Sequence, residues 1–317
     1  MESVVALMAT AMRTIRLKMF TFDSPELIAG LVASQARGVE VRVMLNPKRS
    51  SGSRANDTTV DTLRAAGVTV QWTSPHFAVT HEKSMVIDDS LALIATFNFV
   101  DKYFTLTRDY GLLIDDPDTV GQLVACFEAD WAEGPYQLPL ASPLVLSNNN
   151  ARATMAAFID SAVHTLHVQH PKFSDLAILD RLLDAQQRGV RVHIICGGRH
   201  GISASDMMDT FSALRALGRA GVRIRRQHGL RLHSKLLVAD GERALIGSMN
   251  IDRSAFDLRR EMGAVFDDAA AVQKLDKQFD HDWQDAKSYD PPDPFRLDLV
   301  TAVDQLHGGS DPDFIHE

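Results

Sequence analysis

Residues 81–131 align without a gap on residues 233–283, so that His81, Asn98 and Trp131 recur as His233, Asn250 and Trp283 at a constant offset of 152. Of these 51 positions 19 are identical, where unrelated sequences match at about one position in 15 to 20. The likeness continues upstream with small shifts. Residues 36–43 resemble 187–194 at an offset of 151, and residues 66–70 resemble 220–224 at an offset of 154. Each half then spans roughly 140 residues, the size of one ordinary domain. A chain of 317 residues has room for two such halves.

Periodicity orders the elements within each half. A helix over 25–35, and again over 176–187, stops at Arg-Gly and gives way to a strand rich in Val and Ile. A second helix, 58–66 and 204–220, stops at Ala-Gly before another strand. Two strands then flank an Asp turn, at 83–87 and 92–96 in the first copy, and a closing helix carries the tryptophan. Alternating helices and strands predict an α/β protein, two tandem α/β/α sandwich halves with mixed sheets. The first half is placed at residues 1–140 and the second at 141–287, joined by the Pro-containing stretch 134–143. Residues 288–317 read as an acidic tail containing Pro and Gly, in which 297–306 is one short amphipathic helix.

The chemistry falls inside the repeat. Copy one reads His81-Glu82-Lys83, Asp88, Ala95-Thr96-Phe97-Asn98 and Arg108-Asp109. Copy two reads His233-Ser234-Lys235, Asp240, Gly247-Ser248-Met249-Asn250 and Arg260-Glu261. One such His-x-Lys-x4-Asp pattern followed by Asn arises by chance in about one of several hundred chains, so two in register are specific. Residues i and i+2 of a strand face the same side, which sends each His and its Lys into a common space. Two histidines, two ammonium groups and two Asn amides make a phosphate site, with Thr96 and Ser248 as further donors to phosphoryl oxygens. One histidine can attack phosphorus and the other protonate the leaving oxygen. Attack through one ring nitrogen requires an acceptor on the other, and Asp109 and Glu261, each 28 residues after its own His, are the candidates. Asp88 and Asp240 sit at the strand turn and are read as structural ties.

These motifs, with Gly-Ser-x-Asn after the second, resemble the phospholipase D superfamily over about residues 5–285. The stretch Asn250-Ile251-Asp252-Arg253-Ser254-Ala255-Phe256 is similar to its cardiolipin synthase and bacterial phospholipase D branch. The resemblance implies two α/β/α halves sharing one active site, a phosphohistidine mechanism that needs no metal or other cofactor, and phosphodiester substrates. It also implies that His81 attacks and His233 is the acid. Copy one departs from the family pattern at Ala95-Thr96 in place of Gly-Ser, at Asp109 in place of Glu, and at the acidic Glu82.

Composition narrows the partners. Hydrophobic residues make up 45% and charged residues 23%, as in soluble globular proteins. A net charge of −8 and a pI near 5.8 argue against a surface built for non-specific nucleic acid. Cys126 and Cys196 are too few and too far apart for a disulfide framework or a cysteine metal site. His164, His167 and His170 recur every third residue where a strand enters the second half, and are read as structural. No apolar run approaches the roughly 20 residues that span a bilayer. The apolar start over 4–12 follows Glu2, without the basic segment of a signal peptide. A cytoplasmic protein with peripheral membrane contact is the expectation. Arg219, Arg223, Arg225, Arg226, His228 and Arg231 read as a funnel for a phosphodiester, with Lys48, Arg49 and Arg54 at the matching place in copy one. Phe99, Tyr103, Phe104 and Phe256 are candidates for an apolar acyl or base pocket. A phospholipid phosphatidyltransferase or hydrolase is thus favoured, with a nuclease or nucleic-acid phosphodiesterase as the alternative and a non-catalytic phosphate-binding scaffold behind both.

Overall fold

The structure is a computed structural model and describes residues 1–49, 52–198, 202 and 204–294. The helix expected over 297–306 lies outside the described residues. The first repeat runs α1 (Glu2–Ala9), β1 (Thr14–Met19), α2 (Pro25–Ala36), β2 (Glu40–Leu45), α3 (Asp57–Ala65) and β3 (Thr69–Trp72). It continues with β4 (Lys83–Ile87), β5 (Leu91–Ala95), α4 (Lys102–Thr105), β6 (Thr107–Arg108), β7 (Gly111–Ile114) and α5 (Pro117–Trp131). A short β8 (Leu144–Leu146) precedes the second repeat, which opens with α6 (Ala151–Asp160), β9 (Thr165–Gln169), α7 (Leu176–Gln187), β10 (Arg191–Cys196), α8 (Ala204–Arg219) and β11 (Arg223–Arg226). Then follow β12 (Arg231–Leu232), β13 (Leu236–Ala239), β14 (Arg243–Gly247), α9 (Arg253–Asp257), β15 (Met262–Phe266), α10 (Ala269–Asp285) and β16 (Lys287–Ser288).

Local chemistry sets the ends of the helices. Asp116, Asp175 and Asp268 each accept a hydrogen bond from the backbone N–H three residues on, at the starts of α5, α7 and α10. The Arg-Gly stops place Gly38 and Gly189 at φ 91 and 90, where an L side chain is strained.

The chain divides into two compact units. The first comprises Met1–Ala151 together with Ile246–Met249 and Ser254–Ala264. Its six-stranded sheet has the order β3-β2-β1-β4-β5-β7. β1, β2 and β3 are parallel, while β4, β5 and β7 are antiparallel to their neighbours, giving the expected mixed sheet. The two-residue period of the strands sorts side chains to opposite faces. Met85, Ile87, Leu93 and Ala95 join a core with α1, α2 and α3. Val86, Ala92 and Ile94 pack on the other face against Val120, Leu123 and Cys126 of α5. Helices therefore cover both faces of this sheet.

The second unit holds Arg152–Leu245, Asn250–Arg253 and the described chain from Val265 onward. Its strands follow the order β16-β11-β10-β9-β13-β14, with β9, β10 and β11 parallel and β13 antiparallel to β9. The repeated tryptophans have equivalent surroundings. Arg42 lies 4.2 Å over the Trp131 ring, which also stacks on Phe127, and His193 stacks 4.5 Å from Trp283, which also stacks on Phe279.

Candidate active site

The turn aspartates carry out the same structural task in both copies. The Asp88 carboxylate accepts the backbone N–H groups of Met12, Arg13 and Thr14 at 2.7 to 2.8 Å, and Asp240 accepts those of Val163, His164 and Thr165 at 2.7 to 2.9 Å. Each thereby ties the β4–β5 or β13–β14 turn to the start of the neighbouring β1 or β9. Burial alone would push these carboxyls up, yet the backbone donors together outweigh it and hold both below the usual range.

His81 and Lys83 enter the sheet at the start of β4, both buried. The Lys83 ammonium donates to the His81 carbonyl at 2.6 Å, and the Phe20 ring meets the imidazole edge-on at 4.7 Å. The carboxylate on this ring is not the one expected from spacing. Glu261 Oε2 lies 2.9 Å from His81 Nδ1, both side chains being buried, whereas Asp109 accepts the Thr96 and Thr107 hydroxyls, each at 2.6 Å. The reason is the path of the chain. Residues 254–264 return to the first unit, where Arg260 N donates to the Val79 carbonyl and the Arg260 carbonyl accepts the His81 and Glu82 N–H groups at 2.8 and 3.0 Å. Glu261 itself is fixed by a 2.7 Å bond from its N–H to the Ser147 hydroxyl.

Glu82, the residue after His81, belongs to a buried ionic network that the sequence reading missed. Lys18 Nζ is 2.9 Å from Glu82 Oε2 and 2.7 Å from Asp130 Oδ2, and Arg260 grips Asp130 through Nε at 3.0 Å and Nη2 at 2.7 Å. Two cations meet two anions, so the network is neutral. Burial alone would push the Lys18 ammonium down, but Asp130 and Glu82 reverse this and it stays charged. Glu82, Cys126 and Asp130 bring three ligand-type atoms within 4.8 Å of one another. The Lys18 ammonium and Arg260 guanidinium already neutralise their charge, so these residues do not suit a cation. Burial pushes the Cys126 thiol up to about 11, away from the thiolate a metal would need.

The departure at Glu82 now has a physical account. At the offset of the repeat, Lys18 corresponds to Gln169, Glu82 to Ser234 and Asp130 to Asp282. In the second unit Gln169 Nε2 donates to Asp282 at 2.8 Å. One half thus carries a buried Lys–Glu pair where the other carries the neutral Gln and Ser, and both buried charges enter together. This joint change is the signal that could have exposed the network.

In the second unit, His233 and Lys235 are buried ahead of β13. Lys235 Nζ donates to the His233 carbonyl at 2.7 Å and lies 3.0 Å from its Nε2. Asn98 is fully buried after β5, its Oδ1 accepting the Thr21 N–H at 3.3 Å, and Asn250 is half-buried. His170, in the same unit, is buried and its imidazole is pushed down to about 3, first by burial and then by the charge of Lys235. His167 pairs with Asp276 at 2.7 Å and stacks on Phe279.

Several expected substrate contacts have other duties. The Thr96 hydroxyl donates to Asp109 and accepts the Tyr110 N–H at 2.8 Å, and the Ser248 hydroxyl accepts the Met262 N–H at 3.1 Å. These hydroxyls tie neighbouring segments of the chain together. Phe99 and Phe256 are 0% and 2% exposed, with Phe99 packed edge-on against Phe22 in the core, so neither lines an open pocket. The Gly247 position is also explained by packing. A Cβ there would sit 2.7 Å from Gly263 Cα, while Ala95 fits opposite Gly111.

Comparison with known proteins accords with this geometry. The family described as "Cardiolipin synthase, PLD-like domain" matches residues 4–131 and 155–283. The cardiolipin synthase of Geobacillus kaustophilus is 29% identical over 87% of this chain and 62% of its own length. Cardiolipin synthase A of Pseudomonas syringae is 27% identical over 75% of this chain and 56% of its own. The chain thus spans about three fifths of these relatives. Phosphatidylserine synthase of Haemophilus influenzae superposes with a TM-score of 0.72 at 14% identity, over 96% of this chain and 91% of that one. Polyphosphate kinase of Porphyromonas gingivalis superposes with a TM-score of 0.68 at 17% identity, over 87% and 44% of the two chains. At such identities the likeness is one of fold. With both repeats matched in register by one family, the chain belongs to the phospholipase D-like domain family of cardiolipin synthases.

Proposed function

We propose that this protein is a phosphatidyltransferase of the phospholipase D type, which moves the phosphatidyl group of a phospholipid to an alcohol or to water. The buried His81–Glu261 pair carries the reading. With the carboxylate accepting from Nδ1, the imidazole is held in the tautomer whose Nε2 bears the lone pair, as a nucleophile toward phosphorus requires.

In the first step His81 Nε2 forms a bond to phosphorus while the bond to the leaving oxygen breaks, and His233 gives that oxygen its proton. In the second, His233 takes the proton of the incoming alcohol or water, whose oxygen displaces His81. Lys83, Lys235, Asn98 and Asn250 balance the phosphoryl charge. Asp109 is assigned as a carboxylate that positions its neighbours. The cardiolipin synthase relatives and the acidic net charge support a phospholipid over a nucleic acid. A phospholipid substrate brings the protein to a bilayer surface. No helix among the described residues is long and apolar enough to cross a membrane.

The test uses the chain in EDTA on phosphatidylglycerol, phosphatidylcholine and single-stranded DNA in parallel. Transfer or headgroup release from lipid, lost in His81→Ala, is the expected result. Cleavage of DNA alone with the same dependence would assign a nuclease instead.

A further inference from the structure

In the second unit, the C-terminal half of α8, strand β11 and residues 288–291 line an open cavity of about 700 Å³. Its lining includes Arg215, Arg219, Arg223 and Arg225 against one acidic residue, Asp290, with Trp283 and Tyr289 as aromatic walls. This concentration of cations stands out in a chain of net charge −8. Arg219, Arg223 and Arg225 are therefore not the funnel to the motif expected from the sequence: β11 lies next to β16, at the edge of the sheet. β10 and β9 separate β11 from β13, so three strand spacings, about 14 Å, lie between its arginines and the strand that follows Lys235.

Among the described residues the arginines are oriented without an ion pair. Arg215 Nη1 donates to the Pro291 carbonyl at 2.9 Å. Arg225 donates to the Trp283 carbonyl, and its guanidinium lies 4.7 Å over the Trp283 ring. Carbonyls and aromatic faces fix these groups but bring no negative charge. Arg219 and Arg223 are exposed, and neither forms an ion pair among the described residues. The field reaches inward: His193 on the adjacent β10 is held down to about 4, by burial first, then by His167 and the arginines at 223, 191 and 225. Guanidinium forks match the paired oxygens of a phosphate, and a cavity of this size suits a small polar headgroup.

We propose that this cavity binds the phosphate-bearing headgroup of an anionic phospholipid and holds the protein on the bilayer surface, as a site separate from the His233–Lys235 motif of the same unit. The proposal rests on the phospholipid reading for the class of ligand. The acidic chain as a whole is repelled by an anionic surface, so a local basic cavity supplies the attraction that its net charge opposes.

Co-sedimentation of the full chain with vesicles of phosphatidylcholine alone, or with 30% phosphatidylglycerol, tests this. Wild type is expected to bind the anionic vesicles selectively and to release them as salt rises. Arg219→Glu/Arg223→Glu is expected to weaken that binding at least tenfold, with Arg219→Lys/Arg223→Lys intermediate and unchanged melting temperatures for both. Turnover of a short-chain phosphatidylglycerol below its micellar concentration should be the same in wild type and variants. Glycerol phosphate at millimolar concentration distinguishes a free anion: full competition would assign the cavity to a soluble phosphate and overturn the membrane role. Unchanged vesicle binding in the Glu variant would overturn the proposal, as would loss of single-stranded DNA binding with vesicle binding intact. Loss of vesicle binding in a chain that turns over no lipid would uphold the site and reject the catalytic reading.

Discussion

Glu261 lies 180 residues beyond His81 in sequence, and its Oε2 is 2.9 Å from Nδ1 of the His81 ring. The carboxylate that orients the histidine of the first repeat is therefore supplied by the second repeat. Glu261→Gln keeps the shape of the pair but removes its charge and its tautomer control. We expect kcat to fall by roughly 10² to 10⁴, with little change in KM and a melting temperature close to wild type. A steady-state titration with short-chain lipid reads both constants.

The buried network around Lys18 and Glu82 predicts a compensating double substitution. Lys18→Gln alone leaves Glu82 buried without its cation and should cost on the order of 3 to 5 kcal/mol. Adding Glu82→Ser installs the Gln and Ser of the second repeat, and most of that loss should return. Urea unfolding of the two single variants and the double variant measures the coupling. Additive losses would contradict the reading of a paired exchange.

Acid sensitivity follows from His170. Its folded pKa, about 3, lies below the ordinary 6.5, so between these values the unfolded chain binds more protons than the folded one. This part of the stability is complete above pH 6.5 and is lost as the pH falls toward 3, with a slope approaching about 1.4 kcal/mol per pH unit. The first repeat has Met19 at the matching place. His170→Met should flatten the stability profile across this range, as followed by thermal melts from pH 7 to pH 4.

The turn aspartates give a matched pair of outcomes. Asp88→Asn and Asp240→Asn each weaken three bonds to backbone N–H groups that a carboxylate accepts best. Both should destabilise by about 1 to 3 kcal/mol while activity at low temperature is retained. Their folded pKa values are lowered, so in wild type the contribution is present above the ordinary value of 3.8 and is lost as the pH falls below it. A large loss of kcat in either variant at full folding would contradict a structural role.

Much of the architecture is legible in the sequence. The 152-residue repeat predicts two α/β halves, and the Asp turn falls where the periodicity puts it, whereas His81, His233 and Lys235 precede the strands on which the i, i+2 spacing places them. Pairing of the carboxylates is not legible, because Asp109 and Glu261 stand 28 residues after their histidines in both copies and spacing cannot tell which copy supplies which ring. The Lys18–Glu82 pair depends on β1 lying beside β4, with Lys18 opposite Ser84, a juxtaposition of strands far apart in the chain. Phe99 follows a strand end, where alternation no longer separates inside from outside, and its burial depends on contact with Phe22.

The central claim is that His81 carries the phosphatidyl group between donor and acceptor. Rapid acid-free quench of the chain turning over short-chain phosphatidylglycerol in EDTA, followed by peptide mass spectrometry, tests it directly. The account predicts a phosphatidyl adduct on the peptide bearing His81, absent in His81→Ala and formed without a divalent ion. An adduct confined to His233, or turnover that persists in His81→Ala, would contradict it.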